Sequence, residues 1–263
     1  MVASLLLVLT GCGGRTVPVE SPEAPAWRTV ALPTAGQGEG VARLYPAVGG
    51  TGRHPAVVAV HGDFGLTDAI DANARRLARL GYVVLTVDLY RGEKVDSLLD
   101  AHILDRGLPE ERTRADLLAA VDFLARQTDV DPDAIGVIGW DMGGGYALDA
   151  AVRDARLRAA VNCYGRLTTD ANLLRPLRAA VLVVSAGKDE GNPSETREAF
   201  RKAMRAASKR LVGPHVFDTA EHGFLNPPPH TETPAPDPAT VEQAWQVIER
   251  FLAAELPRGG PPP

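Results

Sequence analysis

Short unbroken apolar runs alternate along this chain with longer stretches of helical spacing. Ala56 to His61, Tyr82 to Asp88, Ala134 to Gly139, Ala159 to Cys163 and Ala180 to Val184 are almost wholly apolar and rich in β-branched residues. That is the pattern of strands covered on both faces. Between them, Ala69 to Leu80, Glu110 to Gln127, Tyr146 to Val152 and Ser194 to Ala207 repeat apolar residues every three to four positions and predict helices. Val212 to Phe217 predicts a last strand and Thr240 to Glu255 a closing helix. Trp27 to Leu32 and Gly40 to Tyr45, joined across Gly36-Gln37-Gly38, predict an opening antiparallel pair. Repeated βα units fold as a mostly parallel, doubly wound sheet, so the expectation is one α/β domain over residues 27–256.

The two ends break the pattern. Leu5-Leu6-Leu7-Val8-Leu9 is too short to span a bilayer and runs into Leu9-Thr10-Gly11-Cys12, which resembles a bacterial lipobox. Residues 1–12 therefore read as a lipoprotein-type signal, with Cys12 as the lipidated residue, although no Lys or Arg precedes the apolar run. Residues 13–26, rich in Gly, Pro, Ser and Glu, read as a flexible tether, and residues 257–263 as a disordered tail. The implied location is the cell envelope, lipid-anchored through Cys12 alone; if the lipobox is not used, the location is cytoplasmic. With Cys12 lipidated, Cys163 is the one thiol left and no internal disulfide is expected.

Composition narrows the function. The 263 residues are 45% hydrophobic with a net charge of −5, enough for a sizeable core. Lys and Arg are scattered along helices, which argues against nucleic acid as a partner. His215, Asp218 and His222 meet no metal-ligand spacing, so neither a metal nor a cofactor is expected. A small-molecule substrate remains, and oligomeric state is not readable.

Ligands on such sheets bind beyond the carboxyl ends of the strands. Three chemically capable residues fall there in order: Asp141 in Gly139-Trp140-Asp141-Met142-Gly143-Gly144-Gly145, Asp189 in Gly187-Lys188-Asp189-Glu190, and His222 in Glu221-His222-Gly223-Phe224. The first segment has the form of a nucleophile elbow, a strand, sharp turn and helix, but with aspartate in place of serine or cysteine. Taken singly, Asp141 is a turn residue, Asp189 a helix cap and His222 one histidine among six. Together they follow the nucleophile, acid, histidine order of an α/β-hydrolase triad. Pro-rich Asn226 to Pro238 reads as a connection to the last helix, or a pocket wall.

These segments, with Val60-His61-Gly62-Asp63-Phe64-Gly65-Leu66 and Val87-Asp88-Leu89-Tyr90-Arg91-Gly92, resemble the dienelactone hydrolase family of the α/β-hydrolase fold across Trp27 to Leu256. The resemblance implies a capless hydrolase of a small ester, lactone or related substrate. It places an oxyanion hole at the backbone N–H groups of Asp63 and Met142, and substrate contacts at Tyr90 and Arg91, Arg91 being otherwise a surface residue of a helix-leading loop. Trp140 and Tyr164 are further N–H and O–H donors to a substrate, or else aromatics packed at the pocket floor. His61 would brace the oxyanion loop. Two departures fall in the site: the family usually has cysteine at Asp141 and often an activating glutamate at Gly62. A carboxylate is ionised at neutral pH and needs no such activation. Asp141 is then a covalent nucleophile, a base for water, or the mark of a catalytically silent fold. Dehalogenase or epoxide-hydrolase-like chemistry through an alkyl-Asp141 ester is a further alternative, weakened because only Tyr164 to Ala179 stands where those enzymes insert a cap. The negative charge of Asp63 beside an oxyanion counts against ester hydrolysis.

Overall fold

The computed structural model describes residues 26–34, 38–229 and 235–257. Cys12, nearly all of the tether, most of the tail and part of the Gly36-Gln37-Gly38 turn lie outside them. The strands are β1 (Arg28–Pro33), β2 (Glu39–Tyr45), β3 (His54–Val60), β4 (Val83–Asp88), β5 (Val130–Trp140), β6 (Leu157–Cys163), β7 (Ala180–Ala186) and β8 (Leu211–Phe217). They form one sheet in the order β1-β2-β4-β3-β5-β6-β7-β8. β1 and β2 are antiparallel, β2 meets β4 antiparallel, and every other pairing is parallel. This is an α/β-hydrolase fold, with helices α1 (Asp68–Arg79), α2 (Leu98–Gly107), α3 (Glu110–Ala125), α4 (Met142–Arg153), α5 (Ala171–Leu174), α6 (Ser194–Ala206) and α7 (Pro238–Glu255).

Side-chain alternation along the buried strands divides the core into two layers. Ala56, Val58 and Val60 of β3 join Leu117 of α3, Ala147 of α4 and Phe200 of α6 on one face. Val57 and Ala59 join Leu77 of α1 and Trp245 and Ile248 of α7 on the other. Both faces are covered, which is why the central strands read as continuous apolar runs. α2 was not expected. Ser97 caps it, its Oγ accepting from Asp100 N at 3.1 Å, yet Leu98, Leu99 and Ile103 point outward and Ala101 is its one buried residue. Among the described residues the β6–β7 connection carries only the four-residue α5, so no cap covers the strand ends.

Candidate active site

The site sits where β3, β5, β7 and β8 end together. β5 turns sharply into α4 at Asp141, whose φ of 58° and ψ of −126° are unusual for a residue with a side chain. Glycine makes the turn possible. A Cβ on Gly139 would lie 1.9 Å from the carbonyl oxygen of Gly143, and one on Gly143 only 2.3 Å from that of His61. The turn is tied down by Asp141 N donating to Cys163 O at 3.0 Å and Gly144 N donating to Asp141 O at 2.9 Å. The Asp141 carboxyl is thereby lifted above the sheet, its side chain 18% exposed.

His222, on the loop after β8, bridges both carboxylates. Its Nε2 lies 2.7 Å from Asp141 Oδ1 and its Nδ1 3.0 Å from Asp189 Oδ2. Asp189 is held by Gly191 N, which donates to its Oδ1 at 2.9 Å. Burial alone would lower the imidazole pKa, but hydrogen bonds and attraction from Asp141 and Asp189 outweigh it and raise the value to about 10. Burial likewise pushes Asp141 upward, but His222 and the backbone N–H of Asp63 prevail and hold its carboxyl below the ordinary range. At neutral pH Asp141 is a carboxylate and His222 an imidazolium.

The loop after β3 is shaped by His61, which is fully buried. Leu89 N donates to its Nε2 at 3.1 Å, so the proton sits on Nδ1, which lies 2.7 Å from Gly62 O. Burial lowers its pKa and keeps it neutral. It fixes the backbone that presents Asp63 N toward Asp141 Oδ2 at 3.4 Å. Met142 is the first residue of α4, where a backbone N–H has no acceptor within the helix. Asp63, Asp141, Asp189 and His222 line one cavity of about 310 Å³ with Leu98 and His102 of α2. A second, of about 690 Å³, adjoins it across His222, Leu98 and Pro228.

The four residues expected to touch substrate are placed differently. Trp140 is fully buried and packs toward Trp245 of α7 with ring centroids 6.5 Å apart. As the last residue of β5 it alternates into the α1/α7 layer and does not line the cavity. Arg91 also turns away: its guanidinium pairs with buried Asp116 of α3 at 2.8 Å and donates to Asp88 O at 3.0 Å. That carboxylate, not a substrate, takes its fork. Tyr90 lies beneath the site, its ring 4.8 Å from that of His61 and its hydroxyl 3.4 Å from Met142 Sδ. Tyr164 is buried with its ring edge-on to His222 at 5.1 Å, and its hydroxyl donates to Asn226 Oδ1.

Asn226 was missed. Its amide nitrogen stands 2.8 Å from where a Cβ on Gly62 would be, so it fills the space a larger residue at position 62 would need. Its only signal in the sequence was its place at the head of a proline run close after His222.

A family model described as the dienelactone hydrolase family matches residues 43–256. A protein of Methylorubrum extorquens assigned as a carboxymethylenebutenolidase is 31% identical over 220 residues, covering 77% of this chain and 74% of its own length. One from Yersinia pestis with the same assignment is 30% identical over 254 residues, covering 89% and 85%. The crystal structure of a protein of Klebsiella pneumoniae assigned as a dienelactone hydrolase superposes with a TM-score of 0.74 at 25% identity, over 87% of this chain and 99% of that one.

Proposed function

The chain belongs to the dienelactone hydrolase family and is a hydrolase, and from that premise we propose that it cleaves a small ester or lactone at Asp141, His222 and Asp189. The observation that carries this reading is the doubly bonded His222, reaching Asp141 at 2.7 Å and Asp189 at 3.0 Å above the ends of three strands. Asp141 acts as the base that deprotonates water, Asp189 orients the imidazole, and His222 in its charged form protonates the departing oxygen. A carboxylate adding directly to an ester carbonyl is itself the better leaving group and falls back, which favours the base role over an acyl-enzyme. The alkyl-ester alternative has little support, because no cap stands over the site among the described residues. The relatives' assignment as carboxymethylenebutenolidases supports an enol lactone as the first substrate to try.

Single-turnover hydrolysis in heavy-oxygen water tests the mechanism: label is expected in the released acid and not in the Asp141 carboxylate. Label in Asp141 would establish a covalent route instead. Asp141→Asn is expected to lower kcat by about 10²–10⁴-fold with KM little changed. We propose also that Cys12 is lipidated and holds the enzyme at the envelope membrane. The support is Leu9-Thr10-Gly11-Cys12; no helix among the described residues is long and apolar enough to cross a membrane. Incorporation of labelled palmitate that disappears in Cys12→Ser is the expected result, and equal label in both chains would refute it.

A further inference from the structure

Asp63 presents an unusual arrangement at the mouth of the site. Its Oδ1 is buried and has no hydrogen-bond partner, its backbone N–H lies 3.4 Å from Asp141 Oδ2, and its carboxyl lines the same cavity as that of Asp141. Two acceptors cannot satisfy each other. Two carboxyls crowded into one cavity are stable together when one of them is protonated, and the protonated one then has an O–H to donate to the other.

The surroundings leave the proton on Asp63. Asp141 already receives His222 at 2.7 Å, whereas among the described residues no cation is bonded to the Asp63 side chain. The groups facing it are Asp141 on the elbow, Asp105 and His102 on α2, Tyr90 after β4, Asp189 after β7 and His222 after β8. Burial first, then the negative charges of Asp141 and Asp105, raise the Asp63 carboxyl to about 8, with His222 opposing. A neutral Asp63 also removes the repulsion that an anionic side chain would exert on an oxyanion beside its own N–H.

We propose that the side chain of Asp63 is a catalytic acid, paired with Asp141 as base, and delivers its proton to the carbonyl oxygen of the substrate. The inference rests on the ester or lactone hydrolysis proposed above and extends it. Asp141 takes a proton from water as the water oxygen bonds to the carbonyl carbon. The carbonyl π pair moves onto its oxygen, which takes the Asp63 proton, and the adduct is neutral. In the second half the carbon–oxygen bond to the leaving group breaks, and that oxygen takes a proton from His222. Asp63 recovers its proton from an adduct hydroxyl as the new carbonyl forms, and Asp141 returns its own to His222. One ester bond and one water become one acid and one alcohol, with all three groups restored.

The test is the pH profile of kcat on an enol lactone or aryl ester, for the wild-type chain and Asp63→Asn. The wild type is expected to lose activity with rising pH through about 8, and Asp63→Asn to lose about 10²–10⁴-fold in kcat together with that alkaline limb. Carbon-13 spectra of aspartate-labelled wild-type protein should contain one carboxyl titrating near 8 that is missing from the variant. An active wild type whose alkaline limb survives in Asp63→Asn overturns the acid role alone. So does a wild-type spectrum with no aspartate titrating between about 7 and 9. A wild type that hydrolyses no ester or lactone overturns the hydrolysis itself and the acid role with it.

Discussion

Asp116 has lost all contact with water, and the charge that answers it is Arg91, 2.8 Å away and 24% exposed. Removing one partner of such a pair strands the other, at a cost of about 3–5 kcal/mol when burial is complete and toward the lower end when one member still meets solvent. Arg91→Ala is therefore expected to lower the unfolding free energy in urea by about 3 kcal/mol and to leave KM unchanged. A raised KM with an unmoved urea midpoint would return Arg91 to the substrate. Gly62 is constrained from the other side. A Cβ there meets Asn226 Nδ2 at 2.8 Å and Asp141 Cβ at 3.2 Å, so Gly62→Ala overpacks the site by about 1–3 kcal/mol. Truncating Asn226 makes room, and a double-mutant cycle with Asn226→Ala should give a favourable coupling of about 1 kcal/mol. Additive penalties would mean that Asn226 does not occupy that space.

α2 is a helix that turns three large apolar side chains outward: Leu98 is 58%, Leu99 71% and Ile103 59% exposed. Leu98 differs from its neighbour in lining both the cavity at Asp141 and the larger one beside it. Leu98→Ser is expected to raise KM for esters with apolar groups several-fold, while Leu99→Ser leaves KM alone. Both should keep stability within about 0.5 kcal/mol, since neither side chain is core. Equal KM values for the two variants would remove α2 from the substrate's path. This helix was illegible in the sequence for the reason that makes it interesting, because a helix is recognised by the stripe it buries and α2 buries almost none. The strands were legible because the buried stretches of β3 to β7 lie between two helical layers and read as short apolar runs, although β5 is legible only from Ala134 because Asp131-Pro132-Asp133 interrupts its start. Asp141 and Asp189 could be picked out because each follows such a run, and His222 because it completes the nucleophile, acid, histidine order after the last strand, although β8 is only partly buried. Trp140 and Arg91 were misplaced because position after a strand does not say which way a side chain turns: alternation sends Trp140 into the core, and Asp116, 25 residues away, draws off Arg91. The protonation of Asp63 was beyond reach, since it depends on burial and on Asp105 and Asp141 arriving from other elements.

The sheet distributes the site unevenly across the molecule. Asp63 and Asp141 follow β3 and β5, neighbours at the centre of the sheet, whereas His222 follows β8, which closes one edge and, among the described residues, pairs only with β7. An edge strand with incompletely buried side chains is where a fold of this kind opens first. His222 ties that edge to the centre, because its imidazolium holds Asp141 and Asp189 together. Its pKa is raised in the folded state to about 10 from an ordinary 6.5. The stabilisation is therefore complete below about 6.5, declines as pH rises, and is lost above about 10. With 44% of the side chain exposed, solvent limits its size. Asp63 acts in the same direction, since a carboxyl raised on folding from 3.8 to about 8 gives up stability as pH rises between those values, so the experiment is best made in Asp63→Asn. Amide hydrogen exchange, corrected for intrinsic rate, should then show protection of β8 and of residues 218–226 falling between pH 7 and 10 while β3 and β5 hold theirs. His222→Gln should begin with low protection in those segments and show no further fall. Protection that drops uniformly over all strands, or not at all, would mean that His222 does not fasten the edge of the sheet to its centre.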